Sequence, residues 1–145
     1  MEYTHAGNET YIIRLERGEE LLARLTDFCE RENVHLASVE GIGASDHAVV
    51  GLYDIPSKTY IKHELNGPME LVSLLGNITA KDGKPYLHLH ASFCGSDMVL
   101  RGGHLNECRI SVTCEIFVRT AKGSVGRRPD RETGINLMDL SPDLI

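Results

Sequence analysis

The chain has 145 residues and carries 15 Lys and Arg against 21 Asp and Glu, a formal net charge of −6. That balance argues against a surface adapted generally to nucleic acid, because duplex binding draws much of its affinity from cations that neutralise phosphates. No apolar run approaches the roughly 20 residues of a membrane span, and 41% hydrophobic residues with 25% charged ones are ordinary values for a globular domain.

The length suits one domain over residues 1–145, large enough to bury roughly 68 to 70 per cent of its unfolded surface. The opening residues Met1, Glu2, Tyr3, Thr4 and His5 lack the basic-then-apolar pattern of a secretory signal, so a cytoplasmic location is expected. Cys29, Cys94, Cys108 and Cys114 show no CxxC spacing and read as reduced, small core residues.

In chain order, residues 10–15 (TYIIRL) are β-branched and aromatic and predict a strand ended by Gly18. Over residues 19–32, Leu21, Leu22, Leu25, Phe28 and Cys29 recur at three-to-four spacing. They predict the one main amphipathic helix, with Glu19 and Glu20 suited to the positive end of its dipole. The rest is mostly strand. Residues 36–42 are one candidate, where Gly41 and Gly43 imply a tight bend or a close backbone approach. Residues 48–54 and 60–65 are the next two, the second alternating as a strand with one wet face. Residues 70–79 form an almost continuous apolar run, and Lys81-Asp82-Gly83-Lys84 reads as a hairpin turn. Residues 109–119 hold the longest clean alternation. Beyond them, Lys122, Arg127, Arg128 and Arg131 form a basic cluster that reads either as a phosphate-contacting arm or as a solvated loop, and residues 135–140 suit a final edge strand. The fold class expected is α/β of the α+β type, a large mixed and mostly antiparallel sheet with one helix.

The segment 84–105, KPYLHLHASFCGSDMVLRGGHL, carries the chemistry. His88 and His90 are two apart in a predicted strand, so both imidazoles share one face, about 6.5 to 7 Å apart at Cα. Leu87, Leu89, Ala91 and Phe93 occupy the core face, whereas Tyr86, His88, His90, Ser92 and Cys94 make a polar or soft face. Gly102-Gly103 reads as a turn that swings His104 back over that strand. Three neutral imidazoles make an open metal site, and Cys94, at the far end of the face, is a weaker fourth-ligand candidate. His5, His35, His47 and His63 join no constellation. Arg101, Glu115 and Glu40 are candidates for ligand contact or proton transfer: Arg101 adjoins the glycine pair, Glu115 lies on the polar side of the long alternation, and Glu40 precedes Gly41.

The segments GPMELVSLLGNIT (67–79), HLHAS (88–92), GGHL (102–105) and VTCEIFV (112–118) together resemble the plants-and-prokaryotes conserved (PPC) domain, with a core of about residues 11–140. The resemblance implies a homotrimer and a metal, zinc or another divalent transition ion, on the positions of His88, His90 and His104. It also implies a DNA-associated or regulatory role, although Gly126-Arg127-Arg128-Pro129 lacks the flanking basic residues of an AT-hook and the net charge disfavours direct DNA contact. A more distant similarity to acetolactate decarboxylase implies an alternative: a zinc-dependent lyase or hydrolase acting on a small anionic carbonyl compound.

Overall fold

A computed structural model describes residues 1–141. Eight strands and one helix follow in the order β1 (Glu2–His5), β2 (Thr10–Glu16), α1 (Leu21–Glu32), β3 (Ala37–Asp54), β4 (Thr59–Lys81), β5 (Lys84–Cys94), β6 (Leu100–Thr120), β7 (Gly126–Pro129) and β8 (Asn136–Asp139). Every strand pairing is antiparallel, so the sheet is not mixed.

Two pairs of predicted strands prove to be single elements. β3 runs unbroken through Gly41 and Gly43, and β4 runs through Asn66, Gly67 and Pro68. Register shifts between Gly41 and Gly43 and between Ser45 and His47 absorb the irregularity as β-bulges, which bend a strand without ending it. The predicted alternation at 109–119 is the second part of β6, and β1 is an additional strand on the outer edge of β2.

The large sheet has the order β1-β2-β6-β3-β4-β5, and β5 pairs again with β6. The four strands β6, β3, β4 and β5 therefore close on themselves. Inside lie Val39, Ala48, Val50, Leu71, Leu74, Ile78, Leu89, Ala91, Phe93, Leu105, Ile110 and Ile116, all buried. Closure needs strands to approach closely at some points. A Cβ on Gly76 would run into the carbonyl oxygen of His88 and lie 2.9 Å from the Leu89 Cα.

Helix α1 contributes Leu21, Leu25, Phe28 and Cys29 to the same core, and it begins two residues later than its apolar pattern predicts. Glu20 is its N-cap, the carboxylate accepting from the Ala23 N–H at 2.6 Å, while Asn33 ends it in the left-handed region at φ 55°. Glu19 lies outside the helix and accepts instead from the Glu16 N–H and the amino group of Met1. Three of the cysteines are core residues as expected: burial pushes Cys29 and Cys114 up to about 12 and Cys108 up to about 11.

β7 and β8 form a separate two-stranded sheet, so residues 135–140 do not extend the edge of the large one. Because the contact at Gly76 is with backbone and cannot be relieved by a rotamer change, Gly76→Ala is expected to destabilise the fold by about 1–3 kcal/mol, read as a lower urea midpoint at unchanged slope.

Candidate metal centre

β5 presents its polar face outward because Leu89, Ala91 and Phe93 are claimed by the core. His88 and His90 share that outward face, and the register supplies the third histidine without any turn: His90 on β5 pairs directly with His104 on β6. The ring centroids are 5.2 Å apart for His88 and His90, 5.3 Å for His88 and His104, and 5.6 Å for His90 and His104. One nitrogen from each ring lies within 4.8 Å of the others.

The role expected of Gly102-Gly103 is corrected here. Both residues lie inside β6, and the reversal between β5 and β6 occurs at residues 95–99. The glycines are required by strand contact: a Cβ on Gly102 would meet the Ala91 carbonyl oxygen, and one on Gly103 would lie 2.7 Å from the Gly51 carbonyl oxygen. His104 is paired with Gly51 on its other side. The space over Gly51 is filled by the ring of Tyr60, which stands edge-on to His104 at 6.2 Å and donates its hydroxyl to Asn106 Oδ1.

Among the described residues, none of the three imidazoles hydrogen-bonds to a protein group, and the cluster contains no carboxylate. Burial holds His88 and His104 below the ordinary imidazole value, with the neighbouring rings adding to the effect and Arg127 adding further at His88. His88 and His104 are thus favoured in the neutral form that a metal requires. Zinc–nitrogen bonds of about 2.0–2.1 Å place tetrahedral donors about 3.3 Å apart, a spacing within torsional reach of these rings. The donor set fits a borderline-soft divalent ion.

Cys94 lies outside this cluster, at the far end of β5, with its thiol toward the Gly95 carbonyl and Met98 Sδ. Arg101 is opposite Phe93 in register, on the face away from the histidines, and donates to both oxygens of Asp97, whose carboxyl it holds down to about 2. Glu40 shares the histidine face, two strands and about 10 Å from His90, but its carboxylate is tied to Arg119 at 2.7 Å. Glu115 is exposed beside Ile42. The structure gathers the three histidines and leaves these three residues apart.

Arg127, in the basic cluster that reads either as a phosphate-contacting arm or as a solvated loop, is a neighbour of the histidines. Its guanidinium lies 4.7 Å from the Tyr86 ring centroid. Nε donates to Thr79 Oγ1 at 2.8 Å, Nη2 to Asn77 Oδ1 at 2.8 Å and Nη1 to the Asn136 carbonyl at 3.3 Å. Asn77 is the register partner of His88, and Thr79 that of Tyr86. Arg127 is therefore neither a solvated loop residue nor a free arm. Only the β7–β8 hairpin, which local pattern did not reveal, brings it to the histidine face.

Fold and cluster define a class: a small α+β domain whose closed antiparallel sheet displays three unpartnered imidazoles on its outer surface. The profile of the Plants and Prokaryotes Conserved (PCC) domain matches residues 3–122, and the chain belongs to that family. A metal-containing protein from Archaeoglobus fulgidus is 34% identical with a TM-score of 0.85, over 96% of this chain and 99% of that one. A plant- and prokaryote-conserved protein from Pyrococcus horikoshii is 33% identical, with a TM-score of 0.83 over 90% of each chain. A candidate DNA-binding protein from Bacteroides thetaiotaomicron has a TM-score of 0.92 at 28% identity, covering 95% of this chain and 96% of that one. The α-acetolactate decarboxylase of Bacillus subtilis shares the fold more distantly, at 15% identity and a TM-score of 0.53, over 91% of this chain and 61% of that one. No curated protein matches the chain significantly.

Proposed function

We propose that His88, His90 and His104 bind a divalent transition metal, zinc foremost, and that the protein is a homotrimer in which this centre acts on a small anionic carbonyl compound. The observation that carries the reading is the convergence of three ring nitrogens within 4.8 Å, with no protein group hydrogen-bonded to them among the described residues. The description of the Archaeoglobus relative as metal-containing supports it. Zinc held by His88, His90 and His104 would supply Lewis-acid chemistry, the polarisation of a carbonyl oxygen or the acidification of water. The protein's own part is to favour neutral His88 and His104 and to fix the rings: His90 and His104 are tied by the strand ladder, and Tyr60 stands against His104.

The trimer reading is supported by an apolar surface on the outward face of the sheet. Ile42 is 59% exposed, Leu75 56% and Val112 67%, with Val72 and Phe117 beside them. Contiguous apolar surface of this kind marks an interaction site. Leu75 is the register partner of His90, so the covered face would adjoin the histidines.

A second reading, association with DNA, rests on the description of the Bacteroides relative. Against it stand the net charge of −6 and the engagement of Arg14, Arg24, Arg101, Arg109 and Arg119 with carboxylates.

Elemental analysis of protein purified without a histidine tag is expected to find close to one zinc per chain, and the double variant His88→Ala, His104→Ala to find almost none. Occupancy should be full at neutral pH and fall on acidification. The loss should lie below the ordinary imidazole pKa, because protons compete for His88 and His104, whose own values are lowered. Light scattering should give the mass of three 16.1 kDa chains. Val112→Glu, which buries an unpaired charge in the proposed interface, should shift that mass toward one chain. A mobility-shift assay at about 50 mM salt, where phosphate contacts are strongest, is expected to show no duplex retardation; retardation there would restore the DNA reading.

A further inference from the structure

We propose that Arg127, held on Tyr86, is the anion-recognition group of the histidine centre and takes the carboxylate of a small α-oxo acid. The inference rests on the metal reading above for the position of the ligand's oxo group, and on this chain's own geometry for the carboxylate. Arg127 lies outside residues 3–122, the span of the family match, so it is contributed by the β7–β8 hairpin.

Three observations converge. Arg127 is the one member of the basic cluster fixed against the histidine face: its terminal nitrogen Nη2 is bonded to Asn77, directly across the ladder from His88. All three of its protein acceptors are neutral, Thr79 Oγ1, Asn77 Oδ1 and the Asn136 carbonyl, and among the described residues it forms no ion pair. A half-buried guanidinium without a carboxylate is a cation whose charge has been left for something else. Finally, a guanidinium has five N–H donors, and the three bonds use one on each nitrogen, leaving one on Nη1 and one on Nη2. One free donor on each terminal nitrogen of a fixed planar fork suits the two oxygens of a carboxylate.

The neighbours explain why the fork stays in place. Tyr86 is both the surface under the guanidinium and the residue two before His88 on the same face of β5, so the cation and the imidazoles are mounted on one strand. A ligand bridging them needs an anionic end and a carbonyl oxygen in one small molecule, and an α-oxo acid is the shortest that has both. By contrast Arg101, next to the glycine pair in sequence, has both of its terminal nitrogens committed to Asp97 or to the Val99 carbonyl, and it faces away.

The test is calorimetric titration of pyruvate into zinc-loaded wild-type protein, Arg127→Met and Arg127→Lys, with zinc content measured on each preparation. Expected are unchanged zinc content, pyruvate binding weakened about 10- to 100-fold in Arg127→Met, as for loss of hydrogen bonds to a charged group, and an intermediate loss in Arg127→Lys, which keeps the charge without the fork. Should Arg127→Met fail to fold, Arg127→Lys decides by the same comparison. Equal affinity in wild type and variant, or no pyruvate binding by zinc-loaded wild type, overturns the assignment. Wild-type protein that takes up no zinc instead removes the metal reading, and the arginine assignment is then judged by the same titration of metal-free wild type and variants.

Discussion

The pairing of β5 with the first residues of β6 is the constraint on which the rest of the structure depends. Five register pairs, from His90↔His104 to Cys94↔Leu100, turn an open sheet into a closed one. Closure gives the apolar faces of four strands a common interior, and it is also what brings a histidine at position 104 beside one at position 90. At Gly51, Gly76, Gly102 and Gly103 a side chain would strike the facing strand's backbone or, at Gly51, the ring that crosses it. The same contacts that make the core possible thus determine the spacing of the imidazoles, so the centre is built on paired strands rather than on loops.

Much of this was legible in the sequence, for identifiable reasons. Leu21, Leu25 and Phe28 announce α1 because an apolar stripe at three-to-four spacing lines one side of a helix and would scatter over both faces of a strand. His88 and His90 announce a shared face because strand periodicity is strict, and residues 109–119 alternate cleanly for the same reason. What local pattern missed depends on partners far away in the chain. Glycines and a proline in β3 and β4 read as breaks, yet bulges carry the ladder through them, since hydrogen bonds to both neighbours outweigh a weak local preference. Gly102-Gly103 read as a turn because glycine's conformational freedom is its familiar use; here its lack of a side chain is what matters. Arg127 read as part of a loop, since nothing within ten residues of it points to Tyr86 or Asn77.

Two of the ways in which the arginines are held have different physical meanings. Arg14, Arg101, Arg109 and Arg119 lie on the surface against carboxylates at 2.7 Å, arrangements that contribute little to stability because water screens them. Their effect is to commit these four guanidinium charges to neighbouring carboxylates. Arg127 is held by an aromatic ring and neutral oxygens instead, which fixes its position while preserving its charge. Fixed position with undiminished charge is the property that distinguishes a recognition group from a solubilising one.

The placement of Tyr60 and Tyr86 has an optical corollary. The chain contains five tyrosines and no tryptophan, so its near-ultraviolet absorption and emission come almost wholly from phenol rings. Tyr60 stands 6.2 Å from His104, and Tyr86 lies under Arg127 on the strand that carries His88. Two of the five chromophores therefore border the histidine cluster, while Tyr3 and Tyr11 donate to Glu32 in a separate aromatic group around Phe28. A ligand entering the centre would therefore come up against two of the five phenol rings, while the rings of Tyr3 and Tyr11 are held elsewhere, against Phe28.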